Sequence, residues 1–253
     1  MQKFECRNYG DCCRRIRSLG TEGAAVKSAP GFFLVPEPKD VGLHLFDWEV
    51  DKLKELADKR GFALSIEPLW VCVSYKEEPI VLSWHMRCDS CPFFSEEKFC
   101  TIYDERPLAC RTFPVADSGY LRLMRGDKLF YPIISSACRC WQEKVAAPEK
   151  MKPAEALKLF LDIFGSSYSS ALKADLYTNW MMSEIVRGMA KSGKIVPAVW
   201  TRQELAKKMG GGYLRLTGFL ERERIMTREE ITEKLKELDA AASQLEKEAR
   251  RQQ

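Results

Sequence analysis

The stretch "CDSCPFFSEEKFCTIYDERPLACRTFP", residues 88 to 114, holds Cys88, Cys91, Cys100 and Cys110 within 23 residues, and Arg111 follows the last thiol directly. In "CDSC" the two sulfurs stand three residues apart, close enough on a tight turn to bind one ion. Cys100 and Cys110 complete a C-x2-C-x8-C-x9-C set. Four thiolates suit tetrahedral zinc or an iron–sulfur cluster, because soft sulfur ligands prefer those centres. Around a divalent ion, or an oxidised four-iron cluster, they leave a formal charge of about −2. Nearby cations are therefore expected. Arg106 and Arg111 flank Cys110 and Arg87 precedes Cys88, so these side chains are read as charge compensation that can aim N–H donors at sulfur. Pro107 is suited to open a helical turn presenting Cys110 and Arg111, and Pro114 to end it.

Working outward, six further cysteines appear: Cys6, Cys12 and Cys13 in "CRNYGDCC", Cys72 in "WVCVSY", and Cys138 and Cys140 in "CRC". Cys72 lies in an apolar run and reads as a small buried hydrophobe. The other nine sit in polar loops bearing Gly, Pro and Arg, where metal ligation explains them better than a core does. Nine thiols are enough for two four-thiolate sites. Consecutive side chains diverge, so Cys12 and Cys13 are expected to face different centres, or only one of them to ligate. His85, in "HMRC", could replace a thiolate, but is read first as a partly buried, hydrogen-bonded residue. His44 has no ligand-like context.

Composition narrows the classes. The chain has 253 residues, 45% of them hydrophobic, enough to bury a core without disulfide staples. Its 40 basic and 36 acidic residues give a net charge of only +4, so whole-molecule charge does not argue for nucleic acid or membrane. The first residues are polar, and no stretch approaches the ~18 apolar residues of a membrane span. We therefore expect a cytoplasmic protein with no membrane role. In a reducing cytosol, clustered thiols point to metal or redox chemistry rather than disulfides.

All ten cysteines precede residue 141, and the proline- and charge-rich "EKVAAPEKMKP" (143–153) reads as a linker. The expected organisation is a cysteine-rich metal-binding domain over 1–145 and a helical domain over 146–253. In the first, "FDWEVDKLKELADKRG" predicts a helix capped by Asp47 and stopped by Gly61, with Val50, Leu53, Leu56 and Ala57 on its inner face. "LWVCVSY-KEEP-IVLSWHM" and "GYLRLM-RGDK-LFYPIIS" predict two hairpins enclosing the cysteine stretch, with the metal replacing part of an apolar core. In the second, "TRQE" and "TREE" are capping-box sequences. Ile231, Leu235, Leu238, Ala242, Leu245 and Ala249 form a seam under three heptads long, which predicts a terminal amphipathic helix packed on its own domain. The fold class is α+β, ending in an all-helical region.

The N-terminal Cys with a following Cys-Cys, then "CPFF", "CTIYDERPLACRTFP" and the late cysteines, resembles the YkgJ-type cysteine cluster family, a zinc- or iron-chelating CxxCxxCC domain. The resemblance spans roughly residues 4 to 141 and is close from Cys88 to Pro114. The family's opening motif is C-x2-C-x2-C-C. Here Tyr9 stands where the second cysteine would be, so the N-terminal group is one thiolate short and recruitment of a later cysteine is implied. Relatives include the flagellin lysine-N-methylases, which raises protein-lysine methylation by analogy. No Gly-rich nucleotide cradle in the sequence carries it independently.

Only one short C-x-x-C knuckle occurs in the main cluster, where zinc ribbons usually pair two. Irregular all-cysteine spacing beside arginines leans towards iron–sulfur, with zinc the alternative. The corresponding function is redox or metal handling, through a protein or redox partner that the sequence does not identify. The competing function is a metal-sensing DNA-binding regulator. Residues 203–224, "QELAKKMGGGYLRLTGFLERE" and the next residue, place Leu205, Ala206, Met209, Gly210, Leu216 and Phe219 at helix-turn-helix positions, with Arg215, Thr217 and Arg222 towards DNA. Three consecutive glycines, Gly218, and Glu221 and Glu223 oppose that function, so an ordinary helical hairpin is expected and nucleic acid is not the expected partner.

Overall fold

Residue 42 is a glycine for a steric reason, where the chain passes close to the end of the 79–86 strand. A Cβ there would stand 2.0 Å from the carbonyl oxygen of Met86, closer than any side chain tolerates. The computed structural model describes residues 3, 4, 10–14, 16, 31–124, 132–135, 138 and 152–251. They group into two units, each assembled from separate stretches of chain: Met1–Cys12, Tyr103–Met181 and Thr232–Gln253 in one, Cys13–Ile102 and Met182–Ile231 in the other. The domain boundary expected at 145/146 lies outside the described residues.

The 13–102/182–231 unit follows a short helical turn, α1 (Asp11–Arg14), and contains strands β1 (Phe32–Leu34), β2 (Leu43–Phe46), β3 (Ile66–Val73) and β4 (Pro79–Met86) and helix α2 (Val50–Asp58). Along the path β1-β3-β4-β2 every pairing is antiparallel. The β3–β4 hairpin is the one the alternating apolar runs predict. Ser74 organises its turn, accepting from the Lys76 and Glu78 backbone N–H groups at 3.2 and 3.0 Å. Every residue of β4 is buried, as expected of a strand covered on both faces and paired on both edges. β3 breaks register between Pro68 and Trp70, a bulge at the residue that lacks a backbone donor.

Helix α2 buries Val50, Leu53, Leu56 and Ala57 as the periodicity requires, and Gly61, at φ +76°, follows its end. Its start differs from expectation. Residues 47–49 form a 3-10 turn, Glu49 precedes the helix, and Asp47 is not its cap. Asp47 turns inward instead, because a buried indole, hydroxyl and guanidinium compete for its carboxylate.

The 103–181/232–253 unit holds α3 (Leu108–Thr112), β7 (Val115–Asp117), α4 (Tyr120–Met124), β8 (Ile133–Ile134), α5 (Pro153–Phe164) and α6 (Ser166–Trp180). The intervening strands β5 (Phe94–Ser95) and β6 (Phe99–Cys100) belong to the other unit. The second hairpin predicted from the sequence is not formed as expected. "YLRLM" is a helix, and β8 pairs with β7. The cause is local capping. Asp117 Oδ1 accepts from Gly119 N–H at 2.6 Å, and Ser118 Oγ accepts from Tyr120 N–H at 3.1 Å, satisfying donors that a helix start leaves open.

Pro153 opens α5, and Gly165, at φ +52° and ψ −126°, separates α5 from α6 with a backbone that favours glycine. Phe160, Leu161, Tyr168 and Ala171 form the core here, with Val115 and Cys138 among the same buried cluster.

The C-terminal stretch is helical apart from one short strand: α7 (Arg187–Lys191), α8 (Arg202–Gly210), β9 (Leu214–Arg215), α9 (Leu216–Arg222) and α10 (Arg228–Arg251). β9 runs parallel to β4 through Ile80 and Val81, sharing with β2 the β4 edge that β3 leaves open. Both capping boxes form. Thr201 and Glu204, and Thr227 and Glu230, exchange side-chain and backbone hydrogen bonds. On α10, Leu238, Ala242 and Leu245 pack with Leu172 and Leu176 of α6, so much of the apolar seam is spent within the chain.

Candidate metal centre

The C-x-x-C segment of Cys88 and Cys91 leads into a two-stranded knuckle. Cys91 carbonyl accepts from Phe94 N–H at 3.1 Å, closing a turn, and β5 and β6 pair with Phe94 opposite Cys100. Phe99, at φ +54°, opens β6 directly after the tight connection, and Ser95 Oγ accepts from Lys98 N–H at 3.0 Å. Thr101 ties the far side back, its N–H and hydroxyl both donating to Phe93 carbonyl at 2.9 and 3.1 Å. Phe93 is buried edge-on against Phe62, which roots the knuckle in apolar packing.

The N-terminal strand of chain is laced onto this knuckle by its backbone. Cys91 N–H donates to Cys13 carbonyl at 2.6 Å, and Ile16 N–H donates to Asp89 carbonyl at 3.1 Å. Between them Arg14 donates to Glu96 from Nε at 3.1 Å and from the guanidinium terminus at 2.6 Å, and lies 5.2 Å over the Phe94 ring. That ion pair is 42% and 74% exposed, so it contributes under about 1 kcal/mol. The two backbone bonds and the buried Ile16 do more to hold the segment. Sequence reasoning passed over Arg14. The signal was present: Arg14 follows Cys13 as Arg111 follows Cys110.

Cys13, Cys88, Cys91 and Cys100 thus lie in one unit, whereas Cys12, Cys110 and Cys138 group with the other. Cys91 is 9% exposed, and Cys12, Cys13, Cys88, Cys100 and Cys110 are half-buried. Cys110 sits in α3, whose first residue follows Pro107, as the proline predicts, with Arg111 exposed in its last turn. Arg106 donates to Tyr103 carbonyl at 2.7 Å and stacks 3.6 Å over the Tyr103 ring. Arg87 pairs with Glu67 at 3.3 Å. Cys6 and Cys140 lie outside the described residues.

Cys72 is 1% exposed between β1 and β4, and burial pushes its thiol up to about 12, so it is a neutral core residue. His85 is 1% exposed, its Nδ1 accepts from Gly42 N–H at 3.0 Å, and its buried Nε2 meets no partner among the described residues. Burial lowers its pKa. His44 stands opposite His85 in the β2–β4 register and edge-on to Phe46. Burial first, then repulsion by His85, lowers its pKa to about 4.

The side chains assigned to a DNA-reading helix are engaged within their own unit. Arg215 pairs with Asp47 and Asp51, Thr217 donates to Asp47, and Arg222 forks onto Glu78 at 3.0 and 2.6 Å. Leu214 and Arg215 are strand rather than turn, and α9 buries Leu216, Thr217, Phe219 and Leu220.

Among the described residues, no three or more His, Cys, Asp or Glu side chains stand gathered at ligating geometry. The donor chemistry nevertheless fits a zinc- or iron-binding group. Cysteines stand on a turn, a knuckle and the segment whose backbone is bonded to them, and thiolate is the ligand those metals favour. Among those residues no helix is long and apolar enough to cross a membrane.

An α+β chain with thiols concentrated in this way defines a cysteine-cluster chelating protein. The family model described as "CxxCxxCC: Putative zinc- or iron-chelating domain" matches residues 5–145, more than half of the chain, and the chain belongs to that family. The curated proteins and the solved structures compared with the chain gave no match.

Proposed function

We propose that this chain is a cytoplasmic protein that holds an iron–sulfur cluster through its clustered thiolates and serves in electron transfer or metal handling with a protein or redox partner. The observation that carries the proposal is the lacing of the Cys13 segment onto the Cys88–Cys91 turn, which adds an N-terminal thiol to a loop already rich in them. A C-x-x-C turn next to a two-residue hairpin offers one knuckle, where a zinc ribbon uses two. Irregular all-thiolate sets suit clusters, whose ligand spacing is less regular. When bound, a cluster would supply one-electron chemistry, and a zinc ion would supply only structure or exchangeable storage. The chain's own residues contribute the thiolates, the backbone N–H groups of the turn, and arginines close to the cysteines in sequence.

The test is anaerobic purification of the full chain, followed by a visible spectrum and analysis for iron, zinc and acid-labile sulfide. A brown protein with several irons and matching sulfide is the expected result. A colourless protein with stoichiometric zinc would replace the cluster while keeping the thiolate site. Neither metal in freshly isolated protein would overturn the proposal.

A further inference from the structure

We infer that Cys13 is the fourth ligand of the centre built on Cys88, Cys91 and Cys100, a place that the linear C-x2-C-x8-C-x9-C pattern gives to Cys110. The inference rests on the metal-binding proposal above and assigns the members of one site.

Three observations support it. The first is the chain path. Cys13 carbonyl accepts from the amide of Cys91 itself, so the two residues are backbone neighbours, and Cys100 lies across β5–β6 from Phe94, whose N–H donates to Cys91 carbonyl. Cys88 closes the set at the other end of the C-x-x-C turn. The second is organisation: these four cysteines fall in one unit, and Cys110 falls in the other. The third is direction along α1. Adjacent residues of a helical turn point about 100° apart, so a Cys-Cys pair whose second member is fixed to the knuckle sends its first member elsewhere.

The sequence contains a reason for this arrangement. The N-terminal group holds only Cys6, Cys12 and Cys13, one thiolate too few to complete a tetrahedral set by itself. A segment in that position needs partners from elsewhere, and the amide contact supplies Cys91. Among the described residues no three ligating side chains stand gathered. Cys13, Cys88 and Cys100 are half-buried, and binding would bring them together by rotation about χ1.

The experiment uses the wild-type full chain, stripped of metal under anaerobic reducing conditions and titrated with zinc(II) alone. Alkylation of each cysteine by iodoacetamide is followed by peptide mass mapping. Cys13, Cys88, Cys91 and Cys100 are expected to lose reactivity together, at the same zinc equivalents and by about tenfold or more, because a metal-bound thiolate is a poor nucleophile. Cys110 is expected to follow a different curve. The inference is overturned if Cys13 stays reactive while the other three are protected, or if Cys110 takes its place on the shared curve. Protection of no cysteine would overturn the metal-binding proposal itself, a separate outcome. As a second readout, zinc bound by Cys13→Ser, Cys88→Ser and the double variant should fall to one common value. Additive losses would place the two thiols in different centres.

Discussion

Asp47 and Arg215, 168 residues apart in sequence, form a salt bridge of 3.0 Å in which the carboxylate is fully buried. Arg215 also donates to Asp47 carbonyl oxygen at 2.7 Å and to Asp51 at 2.5 Å. The Asp47 carboxylate accepts from Trp84 Nε1 at 2.6 Å, and from Thr217 through its N–H at 3.0 Å and its hydroxyl at 2.6 Å. One buried charge thus joins the turn before α2, the central strand β4 and the start of α9. Its lone pairs are shared among a cation and three neutral donors, the condition under which a buried ion pair stabilises.

Asp47→Ala should therefore destabilise the protein by about 3–5 kcal/mol, since it takes from a half-buried guanidinium its buried carboxylate partner, leaving only the exposed Asp51, and leaves Trp84 and Thr217 donors unmet. Arg215→Met, which removes the cation but leaves the carboxylate its three neutral donors, should cost less. Urea unfolding of both variants checks the order. An Asp47→Ala loss below that of Arg215→Met would show that the carboxylate is not the hub.

What the sequence made legible and what it hid divide along the range of the interactions. The β3–β4 hairpin, the inner face of α2 and the Thr201 and Thr227 capping boxes rest on patterns within a few residues, and each forms as read. Asp47 looked like a cap because Asp before an apolar-periodic run usually is one. Its true partners, Arg215 and Thr217, lie far along the chain where no local pattern points to them. "YLRLM" alternates and so reads as strand, whereas the helix at 120–124 is set by Asp117 and Ser118, which precede the alternating run and accept from the Gly119 and Tyr120 N–H groups. At the site, the identities of the thiols were plain from sequence. Their grouping was not, since a backbone bond such as Cys91 to Cys13 leaves no trace in residue type.

Acid should stabilise the 103–181/232–253 unit through Asp175. Its carboxyl accepts from Ser118 Oγ and is raised from 3.8 to about 6, first by burial, with Asp117 nearby adding repulsion against the opposing pull of Ser118 and Arg122. Between pH 4 and 6 the folded state therefore holds a proton that the unfolded chain releases. Stability falls as pH rises through that window, and the penalty is fully present above it. The side chain keeps some contact with solvent, which reduces the effect to about 1–2 kcal/mol. Asp175→Asn, neutral throughout, should flatten that part of the stability profile. Equal slopes for variant and wild type in chemical denaturation at pH 4, 5, 6 and 7 would rule Asp175 out as the source.

Cys72 and Cys88 should respond oppositely to the same perturbation. Cys72 is packed between strands with its thiol pushed up to about 12, so it has almost no thiolate at neutral pH and no path to an alkylating reagent. Cys72→Ala should leave bound metal unchanged and cost about 1–2 kcal/mol for the lost sulfur and the small cavity behind it. Cys88→Ser should lose metal, and with it the part of the folding free energy that metal binding supplies. Adding a strong chelator should then lower the melting temperature of wild type and Cys72→Ala by the same amount, and of Cys88→Ser by less. Since metal binds the folded chain in preference to the unfolded one, the difference between these shifts measures how much of the fold the centre holds. An equal shift in all three would mean that Cys88 is not a ligand.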